Sequence, residues 1–183
     1  MSAIETAQRI QQRVTDMMDF WKSAHGWAPI EAANLLNKSM LEWQKSLAST
    51  LSLWTGELSD GELILAWANI GALVEGQLKL FLSVFYKDYT KNIDAAIKTK
   101  GGTIKDPDGL MLDPLRQFFH KNIWNEGEQW DEWILKIQNR RNAIHAFQSK
   151  TIGNTEELHK EMQTLLAFIE RINRQLPYPF EYL

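Results

Sequence analysis

The chain has 183 residues, 44% of them hydrophobic and 23% charged, with a formal net charge of −3 at pH 7. That length suits one domain able to bury about two-thirds of its unfolded surface. The slight acidity excludes a broadly basic, sequence-independent nucleic-acid binder and leaves only a local basic site open. With no cysteine, disulfides, thiolate chemistry and cysteine-bound zinc are excluded as well.

Hydrophobic spacing is helical throughout, with no period-2 strand run. A first helix is expected from about Ser2 to His25, with Ile4, Ile10, Val14, Met17, Met18 and Trp21 as its apolar stripe and Gly26 ending it. Pro29 suits the first turn of a second helix, where a missing N–H costs nothing. That helix would carry Leu35, Leu36, Met40, Trp43, Leu47, Leu51 and Trp54 as far as Gly56. Ser59 and Glu62 have the spacing of a capping box. They open a segment that is apolar on almost every face, as the central helix of a bundle would be.

A shorter helix, YTKNIDAAIKTK, precedes the loop GGTIKDPDGLML, which is rich in turn formers. Asp113–Pro114 then reads as an N-cap and first-turn proline. A further helix starts near Glu126 and carries Trp130, Trp133, Ile134, Ile137, Ala143 and Ile144. After QSKTIGN, Asn154 and Glu157 cap a last helix that buries Leu158, Met162, Leu165, Leu166, Phe168 and Ile169 and stops before Pro177. The expected fold is an all-α bundle of six or seven helices.

The N-terminus lacks the apolar core of a signal peptide. The longest apolar run, LILAWANIGALV, is too short to span a bilayer. A soluble cytoplasmic protein without membrane contact is the expectation.

Few residues look chemical. No phosphate-binding loop, zinc-protease motif, EF-hand loop or nucleophile elbow is present. His25, His120, His145 and His159 have no second histidine or carboxylate at zinc spacing, so no metal or cofactor is expected. His25 and His159 read as surface residues, and His120 as a complement to a helix dipole. Glu126, Glu128, Asp131 and Glu132 read as favourable charge in a helix first turn.

The stretch QNRRNAIHAFQ stands apart. On a regular helix Arg141 and His145 share a face, with Asn142 three residues from the histidine. Arg140 points away unless the helix is kinked. A guanidinium beside an imidazole disfavours its charged form and leaves a base, and it can also hold a phosphate. Arginine, histidine and an amide suffice for metal-free RNA cleavage. The alternative is a solvated helix end carrying a histidine by chance.

RRNAIHAF, late in an all-α chain and followed by one long helix, resembles the Arg-x(4–6)-His motif of HEPN domains. The resemblance covers about residues 60–176. It implies a helical bundle, metal-independent endoribonuclease activity in a defence or toxin–antitoxin setting, and a homodimer with two motifs facing one cleft. Other HEPN members bind nucleotides, RNA or partner proteins, such as an antitoxin, without catalysis. The family arginine matches Arg140 if four residues must precede His145. If Asn142 is the polar residue that follows it, the arginine is Arg141 and the spacing is one short. Glu75, on the helix that resembles the family's early packing helix, is either the acidic group that orients the arginine or an ordinary exposed glutamate. Residues 1–58 would be an N-terminal helical hairpin packed on a HEPN-like bundle of residues 59–183, in one compact unit. Trp21, Trp43 and Trp54 read as packing residues. Trp124, Trp130 and Trp133 read as packing or as a base-stacking platform. The C-terminal LPYPFEYL is expected to fold back on the bundle or meet a partner.

Overall fold

The computed structural model describes residues 1–145, 147 and 149–179. Ala146 and Gln148, part of the motif stretch, and Phe180–Leu183, the end of LPYPFEYL, lie outside the described residues. Eight α-helices are present among those described, and no strand.

The first helix, α1 (Ala3–Lys22), starts where its sequence says it should. The Ser2 hydroxyl accepts from the Glu5 N–H, and Glu5 accepts from the Ser2 N–H in return. Ile10, Val14, Met17, Met18 and Trp21 are buried, but Ile4, in the first turn, is exposed. The helix stops at Lys22, short of His25, and Gly26 takes the left-handed conformation at φ 97°.

One long second helix was expected, and the chain makes two. These are α2 (Ile30–Lys38) and α3 (Leu41–Thr50), followed by a 3-10 turn over Leu51–Trp54. Ser39 breaks the run. Its backbone is extended and its hydroxyl bonds the Leu35 carbonyl, the side-chain competition that makes serine a poor mid-helix residue. The bend turns Met40 and Trp43 out of the stripe, and Trp43 is 66% exposed. Pro29 is the N-cap of α2, one position before its expected place.

The central helix, α4 (Asp60–Val84), opens with the Ser59–Glu62 capping box. Trp67, Ile70, Leu73, Val74 and Leu78 are completely buried, each contributing about 1.5–3 kcal/mol of burial. Around it pack α2, α3, α5 (Tyr86–Lys91), α6 (Leu112–Asn122), α7 (Trp130–Arg141) and α8 (Thr155–Asn173). The N-terminal helix reaches the bundle through α3 and α8.

Three boundaries differ from expectation. The helix expected over residues 89–100 ends at Lys91, and the chain closes a small hairpin with a single antiparallel bridge, Lys98 to Ile104. Met111, not Asp113, caps α6. Pro114 is thereby its third residue, still where no N–H bond is lost. The seventh helix begins at Trp130 because Gly127, at φ 88°, and a Glu128 contact to the Asn125 N–H hold a turn before it. The last helix is capped by Asn154, and its stripe is buried as expected. Leu176 and Tyr178 fold back, with the Tyr178 ring against Trp21.

Candidate functional site

The end of α7 is gripped from two sides. Arg140 points to α8, where one terminal nitrogen meets both carboxylate oxygens of Glu157 at 2.8 and 2.9 Å. Its guanidinium lies over the Trp67 ring at 5.4 Å, close enough for cation–π attraction. Its other terminal nitrogen is shielded from water without an acceptor, packed at Gly153, whose φ is 74°. The Trp67 indole N–H donates to the Ile152 carbonyl at 2.7 Å, tying the loop before α8 to the central helix. With 11% of its side chain exposed, Arg140 is part of the core wall.

Arg141 turns to α4. It donates to Glu75 at 2.7 Å, and Lys79 meets the other Glu75 oxygen at 2.8 Å. Gly71 makes room for the arginine stem: a Cβ there would lie 2.5 Å from Arg141 Cδ. Glu75 is not an ordinary exposed glutamate, since only 14% of its side chain is accessible. Burial is the strongest single influence and raises its pKa. The hydrogen bonds from Lys79 and Arg141 together outweigh it and hold the carboxyl below the ordinary range. Two cations on one carboxylate leave a net positive charge, and Arg141 remains 28% exposed.

Beyond Arg141 the helix tightens into a 3-10 turn, Asn142–His145, so Arg141 and His145 do not stack as they would on a regular helix. Asn142 and His145 are exposed, and their side chains make no hydrogen bond or ion pair with the described residues. Ala143 is buried and anchors the turn, while Ile144 and Phe147 beside it are exposed apolar side chains.

The structure thus brings Glu75 to Arg141 and separates Arg140 from both. Nothing local pointed to the partners, Glu157, which read as a capping residue, and Lys79, on the helix expected to be apolar on almost every face. Gly71 carried a weak sign, because an isolated glycine within a helical run often marks a close approach. The other candidates settle into packing. Trp124, Trp130 and Trp133 all pack on Phe168, and Trp133 also donates to Glu161. Asp131 pairs with Arg116 and Glu128 with Arg171. His159, expected at the surface, is half-buried with its ring nitrogen 3.0 Å from the Trp54 carbonyl. Among the described residues no helix is long and apolar enough to cross a membrane. Likewise, no group of three or more histidine or acidic side chains is placed to hold a metal ion. Compared with family models, curated proteins and solved structures, the chain matches none.

Proposed function

We propose that the protein is a metal-independent endoribonuclease of HEPN type, acting as a homodimer through Arg141, Asn142 and His145. The observation that carries this reading is the 3-10 turn at the end of α7. In an Arg-x(4)-His motif on an α-helix, the two side chains are separated by about 7.5 Å of rise and about 140° of rotation. From Arg141 to His145 there is one residue fewer, but four 3-10 steps give about 8 Å and about 120°. The tightened turn compensates for the short spacing, which favours Arg141 over Arg140 as the acting arginine. Glu75 fixes the Arg141 guanidinium by one edge and leaves the other to a phosphate.

In this mechanism His145 of one protomer removes the proton from a ribose 2′-hydroxyl. The 2′-oxygen attacks the adjacent phosphorus, Arg141 stabilises the charge on the non-bridging oxygens, and the 5′-oxygen leaves with a proton from the second protomer's His145. The products are a 2′,3′-cyclic phosphate and a 5′-hydroxyl. One chain offers one histidine, so acid and base together require two. The exposed Ile144 and Phe147 beside His145 suit a contact between copies. The defence or toxin–antitoxin setting rests on the resemblance alone.

A second reading is a non-catalytic module binding RNA, a nucleotide or a protein. The burial of Arg140 against Glu157 favours it, because the arginine at the family's own spacing serves the fold. One experiment separates them: incubation of the purified protein with varied RNAs, with and without chelator. Cleavage that survives chelation and yields cyclic phosphate ends supports the enzyme. Intact RNA, from protein freed of any inhibitory partner, leaves the binding module. Light scattering near 21 kDa at all concentrations removes the dimer and with it the paired histidines.

A further inference from the structure

The lysines of this acidic protein are not evenly used. Lys22, Lys38, Lys45, Lys79, Lys136 and Lys160 each lie within ion-pair distance of a carboxylate. Among the described residues Lys87, Lys91, Lys98, Lys100, Lys105 and Lys121 make no ion pair, and Lys150 is the one other lysine of which this is true. Six of these seven, all but Lys150, lie on α5, the hairpin after it and the end of α6. Residues 87–105 hold five lysines against two aspartates, in a chain whose net charge is −3.

The hairpin that carries three of them is a built projection. Thr99 donates to the Thr103 carbonyl and Lys105 to the Ile97 carbonyl, both at 2.8 Å, with Gly102 at φ 84° making the turn. At its base the buried Tyr89 hydroxyl donates to the Lys105 carbonyl at 2.9 Å and accepts from the Ile97 N–H at 3.2 Å, joining both arms. Beside the foot of the hairpin runs a cleft of about 550 Å³, whose lining includes Asn92, Ile97, Gln117, Lys121 and Asn122, with Asp94 as its one carboxylate. A lysine set that is exposed, unpaired and held on a fixed scaffold retains its counterion-releasing capacity, the main source of affinity for a phosphate backbone. The carboxamides of Asn92, Gln117 and Asn122 supply groups able to bond sugar and base edges.

We infer that this hairpin and cleft form a second contact surface for the backbone of single-stranded RNA. It stands apart from the α7 motif and holds the substrate whose cleavage the motif performs. The inference rests on the RNA reading of the motif, but its test does not require cleavage. A fluorescent single-stranded oligonucleotide with 2′-O-methyl riboses, which cannot undergo 2′-hydroxyl attack, is titrated by anisotropy at 50 and 200 mM salt. The wild type is expected to bind, more weakly at higher salt. Lys98→Glu/Lys100→Glu/Lys105→Glu should lose at least tenfold in affinity, and Lys160→Glu, at a lysine on α8 paired with Glu156 and outside this surface, should bind as the wild type does. The triple glutamine variant, a gentler change if the charge reversal perturbs folding, should lower the log–log salt slope by about 2, the value for three single-strand phosphate contacts. Unchanged affinity and slope in the folded lysine variants overturns the inference, as does a wild type that ignores the oligonucleotide and binds phosphatidylserine vesicles instead. Binding that follows the lysines while unmodified RNA stays whole overturns the nuclease reading and leaves this surface standing.

Discussion

Arg140 and Arg141 are adjacent in sequence and opposite in circumstance. Arg140 is sealed between α8 and the Trp67 ring, in a two-oxygen contact with Glu157. Arg141 is held at one edge by Glu75, which it shares with Lys79, and stays partly open to solvent. A residue step of about 100° in an α-helix is enough to send neighbours to different partners. Two adjacent arginines thus divide their labour, one bracing the helix end and the other facing outward.

The largest effect expected is on chemistry. His145→Ala should abolish RNA cleavage, and Arg141→Ala should lower it by roughly two to four orders of magnitude, the span for removing a charge-stabilising group. His145→Ala should leave the melting temperature nearly unchanged, because His145 is exposed without a partner, whereas Arg141→Ala should also lower it modestly, since the largely buried Glu75 would keep only Lys79. Arg140→Ala should behave in reverse. Loss of the guanidinium strands part of Glu157 and uncovers Trp67, costing about 2 kcal/mol, or roughly 4–8 °C for a chain of this size. Cleavage measured well below that transition should stay within a few-fold of wild type. Equal losses of activity in the two arginine variants would erase the distinction.

A smaller effect tests the fit of Arg141. Glycine to alanine inside an unhindered helix gains up to about 1 kcal/mol. At Gly71 the new Cβ meets the Arg141 stem, so the change should instead cost about 1 kcal/mol. A raised denaturation midpoint for Gly71→Ala would show that the stem does not depend on that gap.

The smallest effect is on acid stability. The pKa of Glu157 is lowered, first by the hydrogen bond from Lys136, against burial and with help from the charge of Arg140, and that of Glu75 is lowered as described. A carboxyl with a depressed folded pKa stabilises the fold above its unfolded value, near 4.5, and the contribution fades as pH falls through the folded value. Relative to Glu75→Gln and Glu157→Gln, the wild type should therefore hold an advantage at pH 7 that shrinks below about pH 4.5. Urea midpoints that keep a constant gap across that range would deny the carboxylates this role.

Much of the fold was legible because it rests on short-range regularities. The stripes of α1, α4 and α8 repeat every three or four residues, and the boxes at Ser2 and Ser59 need only a partner three residues on. Where expectation failed, a competing local bond decided. Ser39 bonding Leu35 split one helix into two and exposed Trp43, and the turn at Gly127 delayed α7. Glu157 illustrates a different limit. Its spacing from Asn154 promised a reciprocal cap, but only the Asn154 half is made, since the glutamate side chain is drawn to Lys136 and Arg140.

Pattern alone settled that this chain would be a helical bundle around the apolar run of α4, since periodicity and capping act within a turn or two of helix. Pattern also singled out RRNAIHAF as the candidate stretch for chemistry. It did not assign work to the two arginines, because their partners lie 17 and 66 residues away, on helices whose approach depends on the packing of the whole core. The gap at Gly71 that admits the Arg141 stem and the 3-10 turn that redirects His145 belong to that packing too. Side-chain type and spacing are written locally, whereas burial, and the pairing of charges that burial demands, is decided only when the distant surfaces meet.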